Sequence, residues 1–208
     1  MANPPNIYVV GAQSTGKSTL VNALASHFEQ HDALAGNAYP RPEVINEVAR
    51  GVLQRHSFTA NDIVSSKSRS LELQRLILEA QREAEVAAGH EWYISDRSGL
   101  DPLVYARQYV GVDETGTLMR TDAWQDLERR MKSGLVIVCE AGGEWLVDDG
   151  VRLMPQDRDA WIQMHSNFCE MLDKLGIAFH VLPVSIRELG ARIEFVLSRL
   201  QDQLCTAD

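Results

Sequence analysis

Gly11, Gly16, Lys17 and Ser18 stand at the spacing G-x-x-x-x-G-K-S within residues 7–20, which read IYVVGAQSTGKSTL. Residues in that pattern serve to hold a polyphosphate. The backbone N–H groups of a loop through Ala12, Gln13, Ser14 and Thr15 can point inward together, and with the positive end of a following helix they form a cradle for phosphate oxygens. Gly11 and Gly16 permit the bend. Lys17 would reach the β- and γ-phosphates, the Ser18 hydroxyl would ligate Mg²⁺, and Thr19 would support the same helix end. A glycine-rich turn between a strand and a helix can match the pattern by chance. Here the context argues for the chemistry: Ile7–Val10 is an apolar run fit for a buried strand, and Leu20, Val21, Leu24 and Phe28 follow at helical spacing.

Further along, several charged residues fall where a sheet would present its ligand crevice. Asp96 ends the apolar run 92–95, one crossover after the phosphate loop. A carboxylate there can hold Mg²⁺ through water or take a proton from an attacking hydroxyl. Arg97 follows it directly, and a structural ion pair between the two is the alternative. Asp101 and Tyr105 lie one helical turn apart and could face an acceptor; the plainer alternative is a helix cap and a core aromatic. Glu47 and Arg50, three apart, read either as a surface ion pair or as acceptor contacts at a strand end. The run 148–152, Asp-Asp-Gly-Val-Arg, and Arg158 place cations in a loop after a strand. Loops of this kind close over phosphates and exclude water, so Arg152 and Arg158 are candidates for phosphate contacts; a solvated acidic turn is the alternative. Trp145 in the same loop would stack on a base or cover the core. His27, His165 and His180 have no metal-ligand spacing and read as structural.

The elements that must position these residues alternate. After the first helix, residues 31–41 carry Gly36, Asn37 and Pro40 and read as a surface loop. A short strand over 43–46 leads to a helix ending near His56. Thr59 and Asp62 resemble a capping box before a long helical stretch, interrupted near 65–70, that runs to Ala88 and stops at Gly89. Pro102 is expected at the first position of a helix ending near Gly111. Residues 112–121 read as a polar, glycine-containing loop, followed by a helix Asp122–Lys132. Leu135–Cys139 is a buried strand, and 140–155 shows no regular period, as a functional loop would. A helix over 157–175 stops at Gly176, a strand covers 178–184, and the last helix is expected to start with Ser185 and Glu188 as a capping box. Alternation of strands and helices predicts a three-layer α/β fold with a central parallel sheet, right-handed crossovers and a lid loop.

With 208 residues, one domain over 1–208 is expected. A formal charge of −9 argues against holding nucleic acid by counterion release. Cys139, Cys169 and Cys205 show no metal-ligand spacing and suit a reducing compartment. The segment MANPPN lacks the regions of a signal peptide, and no apolar run would span a bilayer, so the expected location is cytoplasmic with no membrane insertion.

Four segments in order, GAQSTGKST, EVAR over 47–50, DRSGLDPLVY over 96–105 and WLVDDGVR over 145–152, resemble the P-loop small-molecule kinase family typified by the nicotinamide riboside kinase domain of bacterial NadR. The resemblance runs from about Ile7 to Leu200. It implies an ATP-dependent, nucleoside-kinase-like enzyme with Mg²⁺, acting on a small molecule such as nicotinamide riboside. In it Lys17 and Ser18 bind phosphate and metal, Asp96 serves the acceptor hydroxyl, and Arg152 belongs to a lid. One departure is Asp96-Arg97-Ser98 where NadR-like kinases tend to carry an Asp-Thr sequence; this form is similar to the acidic-Arg-Ser motif of deoxynucleoside kinases. The family also includes members that act as nucleotide-binding regulators, the alternative function. A GTPase is disfavoured because no N-K-x-D segment is present, and a motor ATPase because Arg97 stands where a catalytic Glu would follow Asp96.

Overall fold

Three of the five strands are buried at every position, as in a sheet covered on both faces. The computed structural model describes residues 4–32, 40–89, 92–143 and 157–205. Strands β1 (Ile7–Val10), β2 (Glu43–Ile45), β3 (Tyr93–Asp96), β4 (Leu135–Cys139) and β5 (His180–Leu182) form one sheet in the order β2-β3-β1-β4-β5. All its pairings are parallel. The phosphate loop thus leaves the central strand, with the carboxyl ends of β3 and β4 on either side. Register places Val9 beside Asp96 and Val10 beside Val138.

Side chains alternate between the two faces of each strand. Ile7, Val9, Ile94 and Ile137 pack under α1 (Lys17–Asp32) and α9 (Leu189–Cys205). Tyr8, Val10, Tyr93, Val136 and Val138 pack against the other layer, built from α4 (Lys67–Ala87), α5 (Leu100–Tyr109), α7 (Asp122–Lys132) and α8 (Arg158–Leu175). A third cluster, Val52, Phe58, Ile63, Leu73 and Ile77, joins α2 (Val48–Arg55) and α3 (Ala60–Ser65) to α4. This is the expected three-layer α/β architecture.

Several boundaries follow the sequence closely. Thr59 and Asp62 form the expected capping box, and the break between α3 and α4 falls at Ser66, whose hydroxyl accepts from Arg69 N–H. Gly176 ends α8 in the left-handed conformation. Three expectations are corrected. Residues 112–121 are largely helical, as α6 (Val112–Met119). Gly116 costs the helix about 1 kcal/mol, but Leu118 is buried, worth about 2 kcal/mol, and Asp113 and Glu114 complement the dipole in the first turn. Pro102 occupies the third rather than the first helical position of α5; the N–H it lacks is still one of the first four, which have no intrahelical partner. Ser185 does not cap α9. The chain turns at Pro183–Ile186 instead, with Val184 N–H donating to Glu140, and the helix begins at Leu189.

Candidate active site

The phosphate loop needs glycine at Gly11 for a concrete reason. Its φ is 129°, and a Cβ there would lie 2.8 Å from the Cys139 carbonyl oxygen. Two distant side chains hold the loop by its carbonyls: the Trp161 indole donates to Gln13 O at 2.8 Å, and Arg192 Nη2 donates to Thr15 O at 3.1 Å. Helix α1 opens at Lys17, so its N-terminal amides face the loop's concavity. Lys17 is buried, its ammonium donating to Ala12 O at 2.5 Å. Burial, with Arg97 next, pulls its pKa down to about 8.

Ser18 Oγ donates to Asp96 Oδ2 at 2.5 Å. Asp96 is buried and its Oδ1 has no partner among the described residues. A hydroxyl and a carboxylate with a spare oxygen fit a hydrated Mg²⁺, which takes one or two protein ligands and fills its shell with water and phosphate oxygens. The described residues contain no cluster of three or more His, Cys, Asp or Glu side chains that could bind a metal alone.

Asp96 and Arg97 do not pair with each other. Arg97, with φ at 82°, turns its guanidinium the other way, Nε to Glu47 Oε1 at 2.7 Å and Nη1 to Asp101 Oδ1 at 3.0 Å. Burial pulls its pKa down, but Glu47 and Asp101 outweigh this and hold it well above the usual value. Asp101 is raised by burial and opposed by Arg97; its other oxygen accepts from Ser98 N–H at 2.9 Å. Glu47 also pairs with the exposed Arg50 at 2.9 Å, so the expected surface ion pair exists, and it continues inward into the buried set Glu47–Arg97–Asp101. Although Glu47 stands at the N-cap of α2, its carboxylate makes no cap hydrogen bond; it is spent on the arginines.

Two chambers flank this set. The smaller, about 80 Å³, is lined by Ser14 to Thr19 together with Glu47, Asp96 and Arg97. The larger, about 560 Å³, is walled mainly by apolar side chains of α2, α3 and α4. Glu47, Arg97, Asp101, Arg50, Tyr105 and Gln13 stand on its rim and wall. Among the described residues, Glu47 and Arg97 alone line both. Tyr105 OH donates to Gln13 Oε1 at 3.3 Å, so Gln13, expected only in the phosphate cradle, also shapes the second chamber. Arg158 donates to the Gly142 carbonyl and lines neither chamber. Trp145 and Arg152 lie outside the described residues. Sequence reasoning assigned no site role to Phe58, Ile63, Leu73, Ile77, Gln74 or Gln81, all of which line the larger chamber. The available signal was that two glutamines seven apart interrupt the apolar stripe of α4.

Among the described residues no helix is long and apolar enough to cross a membrane. A family model described as "AAA domain" matches residues 6–188. No curated relative matches the chain. Among solved structures, NadR protein in complex with NR overlays with a TM-score of 0.61 at 16% identity, covering 86% of this chain and 43% of that one. The NadR complex with NAD and AMP-PNP gives 0.55 at 18%, covering 86% and 44%. This chain therefore spans less than half the length of those proteins. Thymidylate kinase from Ehrlichia chaffeensis overlays with a TM-score of 0.59 at 14% identity, covering 96% of this chain and 99% of that one. Shikimate kinase from Acinetobacter baumannii gives 0.52 at 16%, covering 98% and 94%. These likenesses establish a shared fold.

Proposed function

Since the chain belongs to the AAA domain family over a region that includes the phosphate loop and all five strands, we propose that it is an ATP-dependent kinase transferring the γ-phosphoryl group to a hydroxyl of a small molecule, a nucleoside such as nicotinamide riboside. The observation that carries this reading is the pair of chambers joined at Glu47 and Arg97. A GTPase or a motor needs only the phosphate chamber. The second, at about 560 Å³, has the size and apolar lining of a small-molecule pocket. The folds it shares with NadR, shikimate kinase and thymidylate kinase support the same class.

In this reading the amides of the loop and Lys17 hold the β- and γ-phosphates, with Thr19 at the helix end. Ser18 and, through water, Asp96 would hold Mg²⁺, which neutralises charge on the phosphate oxygens. Asp96, whose Oδ1 has no partner among the described residues, would serve the acceptor hydroxyl as well as the metal, while Glu47, held by Arg97 and Arg50 and lining both chambers, would contact the acceptor. Arg97, fixed between Glu47 and Asp101, keeps a full cation where the phosphoryl group passes. Asp101, Tyr105 and Arg50 shape the acceptor's entrance. Trp145, Arg152 and Arg158 are assigned to a lid that closes on the nucleotide, with Arg152 contacting the transferring group. The test is ADP formation from ATP with and without a nucleoside panel, with Lys17→Ala as the blank. Turnover that requires an acceptor supports a kinase; turnover indifferent to every acceptor points to a nucleotide-binding regulator instead.

A further inference from the structure

Helix α9 buries Arg192, Val196 and Leu200, spaced one helical turn apart, so a cation opens an inward stripe that is otherwise apolar. Arg192 is only 9% exposed. Its Nη2 donates to Thr15 O at 3.1 Å and to Cys139 Sγ at 3.5 Å, and its Nε is buried with no partner among the described residues. Neither acceptor brings a negative charge. Burial pushes the Cys139 thiol up, so it stays neutral at pH 7, and no carboxylate pairs with Arg192 among the described residues. A buried guanidinium without a counter-charge is costly, and a neutral amide could make the bond to Thr15 without that cost. The charge points to an anion supplied by a ligand.

The phosphate chamber lies on the other side of the loop. Arg192 Nη1 is 3.2 Å from where a Cβ on Gly16 would stand, so the guanidinium rests against the loop's last glycine. Thr15 and Gly16 line the chamber and Arg192 does not, which places Arg192 behind the loop. The Thr15–Gly16 peptide is trans, so its carbonyl and its N–H point in opposite directions. Holding Thr15 O toward Arg192 therefore aims the Gly16 N–H away from it, as a donor for a phosphate oxygen requires.

We propose that Arg192 is a positioning residue for the nucleotide, a buried cation that serves as counter-charge to the bound phosphates through the Thr15–Gly16 peptide and without touching them. The proposal rests on the phosphate-loop part of the kinase reading.

Calorimetry on the full chain tests it, with ATP and inorganic tripolyphosphate as ligands and ADP formation followed in parallel. Arg192→Gln keeps a donor for Thr15 O but no charge, and should weaken both ligands about tenfold or more. Arg192→Lys restores the charge and should bring both to within about threefold of the wild type. The urea midpoint of the ligand-free chain should not fall in Arg192→Gln, because the cation removed had no counter-charge there. A merely structural Arg192 would lower that midpoint and leave Arg192→Lys no tighter than Arg192→Gln. In Arg192→Lys, burial depresses the introduced ammonium in the empty chain and bound phosphates restore it, so tripolyphosphate binding at about pH 8 should take up more protons than in the wild type. Binding with this charge dependence but no ADP formation with any acceptor upholds the proposal and removes the kinase reading. A wild type that binds neither ligand, Arg192→Gln affinities within about threefold of the wild type, or Arg192→Lys no tighter than Arg192→Gln overturns it. Proton uptake in Arg192→Lys equal to that of the wild type overturns it as well, and decides even where Arg192→Gln fails to fold. Failure of both variants to fold assigns Arg192 to structure and overturns it too.

Discussion

Replacing Arg97 with methionine removes the guanidinium at the centre of the site while keeping much of its apolar volume. The side chains of Arg97 and Glu47 are each 10% exposed and that of Asp101 is 5% exposed, so their pairs lie in the regime of buried rather than surface ion pairs. Removing one partner from such a pair costs about 3–5 kcal/mol when the charge left behind is uncompensated. Here compensation is partial. Arg50 still holds Glu47 at 2.9 Å, and Ser98 N–H still holds Asp101 at 2.9 Å. The loss should therefore fall near the lower end, about 3 kcal/mol, read as a shifted urea midpoint at constant slope. The pH dependence carries a sharper signature. Burial raises the Asp101 carboxyl and Arg97 opposes the rise, so losing Arg97 pushes it further up. A carboxyl raised in the folded state takes up a proton more readily there than in the unfolded chain. Its penalty is absent below the unfolded pKa and grows as pH rises through the folded one. The stability deficit of Arg97→Met should thus be larger at about pH 7.5 than at about pH 5. A loss below about 1 kcal/mol, or a deficit flat across that range, would refute the buried-triad reasoning.

Three further outcomes follow from the same geometry. Lys17, with a pKa near 8 in the free protein, is held protonated by bound phosphates, so ATP affinity should fall about tenfold per pH unit above pH 8; Lys17→Ala should abolish ATP binding or turnover, and a flat pH profile in the wild type would remove the phosphate contact. Asp96→Asn keeps a partner for Ser18 but loses the charge, so steady-state turnover should drop by about two to four powers of ten with ATP affinity changed far less; unchanged turnover would make Asp96 structural. Arg152→Ala should lose about a hundredfold in turnover and Arg152→Lys should recover only part of it, since an ammonium cannot make the bidentate contact; small and equal effects would sink the lid assignment.

What the sequence makes legible here is what is local. The strand, loop and helix around Gly11–Ser18, the capping box at Thr59 and Asp62 and the stop at Gly176 each depend on residues within a few positions, and the structure has these elements where the sequence puts them. The buried strands of a parallel sheet announce themselves as short apolar runs between breakers. The site's defining contacts are remote. Glu47 and Arg50 read as a pair because they are three apart, but nothing in that spacing reveals Arg97, fifty residues on, as the third member. Trp161 and Arg192 reach the loop's carbonyls from 148 and 177 positions away, through backbone atoms that carry no side-chain signature. The chamber wall was obscured differently: Phe58, Leu73 and Ile77 satisfy a core pattern equally well whether the space beside them is filled or open. The helix α6 was hidden by Gly116, where local propensity and the burial of Leu118 pull in opposite directions and burial prevails.

The central claim is that one chamber holds the nucleotide, the other an acceptor, and a phosphoryl group passes between them at Glu47 and Arg97. The direct test is to supply ATP labelled in its γ-phosphoryl group together with a nucleoside panel led by nicotinamide riboside, and to follow the label by mass spectrometry. The account predicts label on a nucleoside hydroxyl, stoichiometric with ADP and lost in Lys17→Ala. Label appearing only as inorganic phosphate, at a rate no nucleoside changes, would contradict it.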